Sequence, residues 1–211
     1  MKKTLLVIAR HGNTFSKGDV VTRVGTTDLP LVESGLEQGR RIGQYLRTHK
    51  LLPDRIFTSS LRRTIQTAAE AQREAGIDVP VSALTIFNEI DYGVDENQPE
   101  AQVAARIGEE ALQQWEQQAM PPAGWHADTR AIIASWHEFA AFLRKEHAGQ
   151  TVMVVTSNGI ARFAPYLTGD FEAFRQHYPI KISTGALCLL EHDGIAEAWQ
   201  CKGWNIQCDR G

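Results

Sequence analysis

Two stretches of the chain are almost wholly apolar: TLLVIA at 4–9 and TVMVVT at 151–156. Such short runs, with no polar face, predict strands buried on both sides, as in a parallel sheet. Between them, apolar positions recur at helical spacing. Over 32–50, Leu36, Ile42 and Leu46 share one half of a helical wheel, with Gly39 and Gly43 between them and Arg40, Arg41 and Arg47 opposite. That predicts an amphipathic helix whose glycines permit close packing. RIFT (55–58) predicts a short strand. Residues 59–76 predict a second helix, with serine caps, Leu61, Ile65 and Ala68 spaced along it, and Gly76 just past its end. Residues 79–87 read as extended, 99–118 as one helix, and MPPAGW (120–125) as a loop stiffened by two prolines. Residues 128–147 predict a helix capped by Asp128, with Ile132, Trp136, Phe139 and Leu143 on one stripe. Helix restarts at 158–167, and a terminal strand pair over 181–204 turns at Asp193-Gly194.

Strands alternating with helices predict an α/β fold with a mainly parallel sheet. No repeat, linker or low-complexity tract interrupts the pattern, so one domain over 1–211 is expected. The chain has 211 residues and a formal net charge of -3, with no basic tract. Nucleic acid and anionic membranes are therefore not expected partners, and any anion site must be local. Cys188, Cys201 and Cys208 are an odd number and poorly spaced for zinc, which suits reduced thiols. The apolar run behind the N-terminal lysines is too short for a signal-peptide core, and no run reaches membrane-spanning length. A cytoplasmic protein is expected.

In open α/β sheets ligands bind beyond the carboxyl ends of the strands. Arg10 and His11 follow the first strand, and SSLRR follows the second, opening a helix whose N-terminus and arginines suit phosphate. Glu89 follows the extended segment, and Ser157 and Asn158 follow TVMVVT. Two arginines, a histidine, a carboxyl group and a serine–asparagine pair at successive strand ends make a candidate anion pocket with a nucleophile or base and a general acid.

The segments carrying these residues are ARHGNT, RVGTTDLPLVESGLEQGRRIGQYL, TSSLRRTIQTA, FNEIDYG and VMVVTSNGIARF. Taken in order, they resemble the histidine phosphatase superfamily, also called phosphoglycerate-mutase-like. The resemblance implies a three-layer α/β/α sandwich around a mainly parallel sheet. It makes His11 the nucleophile, Arg10 and Arg63 (from S-x-L-x-R-A-x-x-T-A) the phosphoryl grips, and Glu89 the proton donor. The family's V-S-H-G-x-x-x-R, pinned at Arg162, puts Ser157 where a second catalytic histidine is expected. Asn158 or nearby backbone N–H groups would then supply part of the lost grip, and His126 is a less favoured replacement. Asn13, Thr14, Lys17, Val24, Gly25 and Asn158 become substrate contacts, with Asn13 and Lys17 departing from the commoner residues. No metal or cofactor is called for, and homodimerisation stays open. The implied activity is hydrolysis of a small phosphorylated metabolite. The alternatives are mutase-type phosphoryl transfer or a catalytically weak phosphate-ester binding protein.

Overall fold

The computed structural model describes residues 3–208; positions 1–2 and 209–211 of the 1–211 span lie outside the described residues. The apolar runs become β1 (Thr4–Arg10) and β4 (Thr151–Thr156), paired in parallel with Arg10 beside Thr156. Of the other strands, β2 is Arg55–Thr58, β3 Val81–Ala83, β5 Ala186–His192 and β6 Gln200–Gln207. The sheet order is β3-β2-β4-β1-β5-β6, with β3, β2, β4 and β1 parallel, β5 antiparallel to β1, and β6 antiparallel to β5.

Side chains alternate across the two faces, as strand geometry requires. Val7, Ala9, Met153 and Val155 pack on α1 (Glu33–Thr48) and α2 (Arg62–Ala75) through Ile42, Leu46, Ala68 and Ala71. Leu6, Ile8, Val152 and Val154 face the opposite layer, which includes α5 (Thr129–Glu146). There Trp136, Phe139 and Leu143 are buried, and Asp128 accepts the cap bond from Ala131 N–H. A Cβ on Gly43 would lie 2.2 Å from the Ala71 carbonyl oxygen, so α1 and α2 approach as closely as its glycines permit.

Several local expectations give way to tertiary structure. Residues 99–118 form two helices, α3 (Glu100–Ile107) and α4 (Glu109–Gln118), broken at Gly108 with φ 83°. Only 81–83 of the extended segment pairs as a strand; Thr85–Phe87 is a 3-10 turn. The restart after β4 is a four-residue helix α6 (Asn158–Ala161) and a 3-10 segment at Ala164–Thr168 containing Pro165. Helix α7 (Phe171–His177) then leads to β5. Ile65 is exposed, because the buried face of α2 is built from Thr64, Thr67, Ala68 and Ala71, whose small size admits α1. Neither serine caps α2. The Asp28 carboxylate takes the Arg62 N–H at 2.6 Å, so an acidic side chain occupies the end where phosphate was expected.

Candidate active site

The carboxyl ends of β1, β2 and β4 open into a cavity of about 760 Å³. His11 directly follows β1. Its backbone N–H continues the ladder to Thr156 O at 3.0 Å, and its side chain is buried. The loop behind it is held hard against α1: a Cβ on Gly12 would lie 2.3 Å from Gly35 O. Thr67 of α2 accepts the Gly12 N–H at 3.0 Å. The His11 Nδ1 lies 2.7 Å from Gly12 O; a carbonyl only accepts, so Nδ1 carries the proton. Burial, then the charges of Arg63 and Arg10, push the imidazole well below its ordinary pKa of 6.5. The ring is therefore neutral, with the Nε2 lone pair left for the cavity.

Three arginines meet here. Arg10 Nη1 donates to Ile182 O at 2.5 Å, and its buried Nε has no protein partner. Arg63, 1% exposed, donates to Gly25 O at 2.6 Å and Thr27 O at 2.8 Å. Arg162, also 1% exposed, lies 3.9 Å over the Trp115 ring and donates to Trp115 O. Burial lowers all three, Arg162 to about 10, yet a guanidinium group in a protein stays cationic at neutral pH. Opposite them is Glu89, whose Oε1 accepts from Ile90 N–H and Oε2 from Gly159 N–H, both at 2.9 Å. Gly159 has no room for a side chain: a Cβ would lie 2.1 Å from Glu89 Oε1. Three guanidinium groups against one carboxyl group and a neutral imidazole leave the cavity floor rich in positive charge. Desolvated cations of this kind favour a dianionic ligand.

Of the expected site residues, Arg10, His11, Asn13, Thr14, Lys17, Val24, Arg63, Glu89 and Asn158 line the cavity. Two do not. Gly25 stands behind the wall, giving its carbonyl to Arg63 and its N–H to Glu96. Ser157 is 0% exposed; its Oγ lies 3.5 Å from Arg63 Nη2 and makes no cap bond. The group that reaches the cavity from this loop is Asn158. Its Oδ1 accepts from Ile182 N–H at 2.8 Å, and the amide's remaining polar group is the Nδ2 donor. His126 pairs with Asp91 on the surface at 2.8 Å and does not line the cavity.

Sequence reasoning used Arg162 only to set register and did not count it in the site. Its signal was the (i, i+4) spacing from Asn158 along NGIAR. It also missed Tyr92, Arg23 and Lys181 in the cavity wall. Tyr92 follows Glu89 within NEIDYG, but Arg23 and Lys181 sit on loops with no local pattern. Among the described residues, no group of three or more His, Cys, Asp or Glu side chains converges as a metal site.

The α/β fold thus brings a neutral, backbone-anchored histidine together with three arginines at one end of the sheet. The chain belongs to the histidine phosphatase superfamily (branch 1), whose family model matches residues 6–207. The mycobacterial glucosyl-3-phosphoglycerate phosphatase has the same fold, with a TM-score of 0.75 at 22% identity over 97% of this chain and 100% of that one. A structure described as mycobacterial hydrolase 2 gives 0.80 at 22% identity, covering 100% and 94%. The 2,3-bisphosphoglycerate-dependent phosphoglycerate mutase of Clavibacter michiganensis subsp. michiganensis is 37% identical over 112 residues, 52% of this chain and 44% of the mutase. The chain thus matches a little under half the length of that curated relative. No helix among the described residues is long and apolar enough to cross a membrane.

Proposed function

We propose that the chain is a phosphomonoesterase acting on a small phosphorylated metabolite through a phosphohistidine at His11. The observation that carries this reading is the His11 ring, neutral and anchored through Nδ1 to Gly12 O. Its Nε2 attacks phosphorus in line with the ester oxygen, forming the P–N bond as the P–O bond breaks. Arg10, Arg63 and Arg162 stabilise the equatorial oxygens as charge spreads over them, and the Asn158 amide adds a neutral donor. The two backbone N–H bonds fix the Glu89 carboxyl group and leave a lone-pair site on each oxygen. From there it protonates the departing alkoxide, then takes a proton from the water that breaks the P–N bond. Inorganic phosphate leaves and His11 is regenerated.

A mutase reading draws on the curated relatives. It requires a phosphoenzyme shielded from water, whereas Lys17, Val21 and Lys181 at the rim of this cavity are exposed. Hydrolysis is the better fit. The experiment is a panel of phosphomonoesters assayed for phosphate release, with acid-labile phosphate trapped on the protein by alkaline quench. Release and trapping are expected in the intact protein and absent in His11→Ala. Release that survives His11→Ala would refute the phosphohistidine route. Label moving to a second metabolite, rather than to water, would favour transfer.

A further inference from the structure

Beyond the first cavity lies a second, of about 630 Å³. The two share four wall residues: Arg23, Glu100, Glu116 and Lys181. These form two ion pairs, Arg23 Nη2–Glu100 Oε2 at 2.5 Å and Lys181 Nζ–Glu116 Oε1 at 2.8 Å. Each pair joins α3 or α4 to a loop at the rim of the phosphoryl cavity. The Arg23 side is rigid: its guanidinium lies 5.1 Å over Trp125 and 5.3 Å over Tyr92. Its backbone N–H and C=O are bonded to Gln98 and Asn97. Its Nε is buried and has no protein partner.

The two compartments differ in charge. The first has six cationic side chains (Arg10, Lys17, Arg23, Arg63, Arg162, Lys181) against the carboxyl groups of Glu89, Glu100 and Glu116. The second balances Arg23, Arg175 and Lys181 against Glu100, Glu109 and Glu116. An anion is drawn to the first and has no advantage in the second. One face of α4 supplies Leu112, Gln113, Glu116 and Gln117 to the second compartment, and Tyr178, 37% exposed, also lines it. Amide and carboxylate groups beside an apolar ring match a group that has many hydroxyls and one hydrophobic face. A site of this volume suits a ligand much larger than a three-carbon phosphate.

Resting on the phosphomonoesterase reading, we propose that the substrate is an extended phosphomonoester. Its phosphoryl end occupies the first cavity, and an uncharged, hydroxyl-rich ring of sugar size occupies the second, against Tyr178 and α4. The Arg23 and Lys181 ion pairs form the passage between them. A second phosphate or a carboxylate finds no net positive charge in the second compartment.

Binding decides this independently of turnover. Calorimetry on the His11→Ala protein would compare trehalose 6-phosphate, glucose 6-phosphate and 3-phosphoglycerate. The disaccharide phosphate is expected to bind at least 10-fold more tightly than either smaller ester. Leu112→Trp, which fills the compartment, and Gln113→Ala, which removes a polar group with little folding risk, should each shrink that preference by 3-fold or more. Equal or tighter binding of 3-phosphoglycerate, or a preference unchanged in both variants, would overturn the proposal. If the wild-type protein releases no phosphate from any ester, the hydrolytic reading fails instead, while the calorimetric preference still stands or falls alone.

Discussion

Replacing Glu89 by glutamine preserves size and shape but changes one terminal oxygen to an NH2 group. In the native protein both oxygens accept backbone N–H bonds at 2.9 Å, and the carboxyl group packs so closely on Gly159 that a Cβ there would lie 2.1 Å from Oε1. In Glu89→Gln one of these N–H groups must face another donor. Losing one of these bonds and leaving a buried N–H unpaired costs about 1–3 kcal/mol. For a chain of this size that lowers Tm by roughly 2–12 °C. The kinetic loss is larger and depends on the leaving group. With an alkyl phosphate the departing alkoxide needs a proton, so turnover should fall by about 10²–10⁴, some 2.7–5.5 kcal/mol of barrier. With p-nitrophenyl phosphate the leaving anion is stable and transfer to His11 proceeds without an acid. Only the second step, which needs a base, slows. Stopped-flow should therefore record a burst of nitrophenolate equal to the enzyme concentration, followed by slow turnover. Equal losses on both substrates with no burst would refute Glu89 as the proton carrier.

Four further outcomes are expected. Because the His11 pKa is depressed in the folded state, the unfolded chain takes up a proton below pH 6.5 that the native protein refuses. Stability therefore rises with pH in the window below 6.5 and is lost as pH falls through it, by up to about 1.4 kcal/mol per pH unit. Urea unfolding at pH 5.5 and 7 in phosphate-free buffer should show that loss shrinking in His11→Asn, and an unchanged loss would contradict a buried neutral ring. Ser157→Ala should leave aryl phosphate turnover within about threefold, since a 3.5 Å contact is a weak bond. Asn158→Ala should cost about 10²-fold by removing a donor to the phosphoryl group, and steady-state kinetics giving the reverse ranking would return Ser157 to the site. Leu143→Ala, at a 0% exposed position under the sheet, should destabilise by about 2–5 kcal/mol in denaturant melts.

The chain's own pattern determined β1, β4, α1 and α5. A strand buried on both faces has nowhere to place a polar side chain, so TLLVIA and TVMVVT announce themselves. A helix with one buried face repeats that face every third or fourth residue, so Trp136, Phe139 and Leu143 do the same. Arg10 and His11 were legible because they end β1 and follow it, and Arg63 because it lies in the first turn of α2, with the family resemblance selecting it over Arg62; Glu89 lies beyond a 3-10 turn rather than at a strand end.

Other features depended on what approached from a distance. Gly108 breaks a run that reads as one helix. Asp28, 34 residues before Arg62, caps α2 in place of the local serines. Ile182 claims the Asn158 carbonyl oxygen, so asparagine faces the cavity while Ser157 turns behind Arg63. Arg162 is held there by Trp115, 47 residues away in the chain. Periodicity records which face of an element is buried, because burial acts on every turn alike. Which polar groups meet in a cavity is set by the order of strands and the closeness of loops, and that order is a property of the folded sheet.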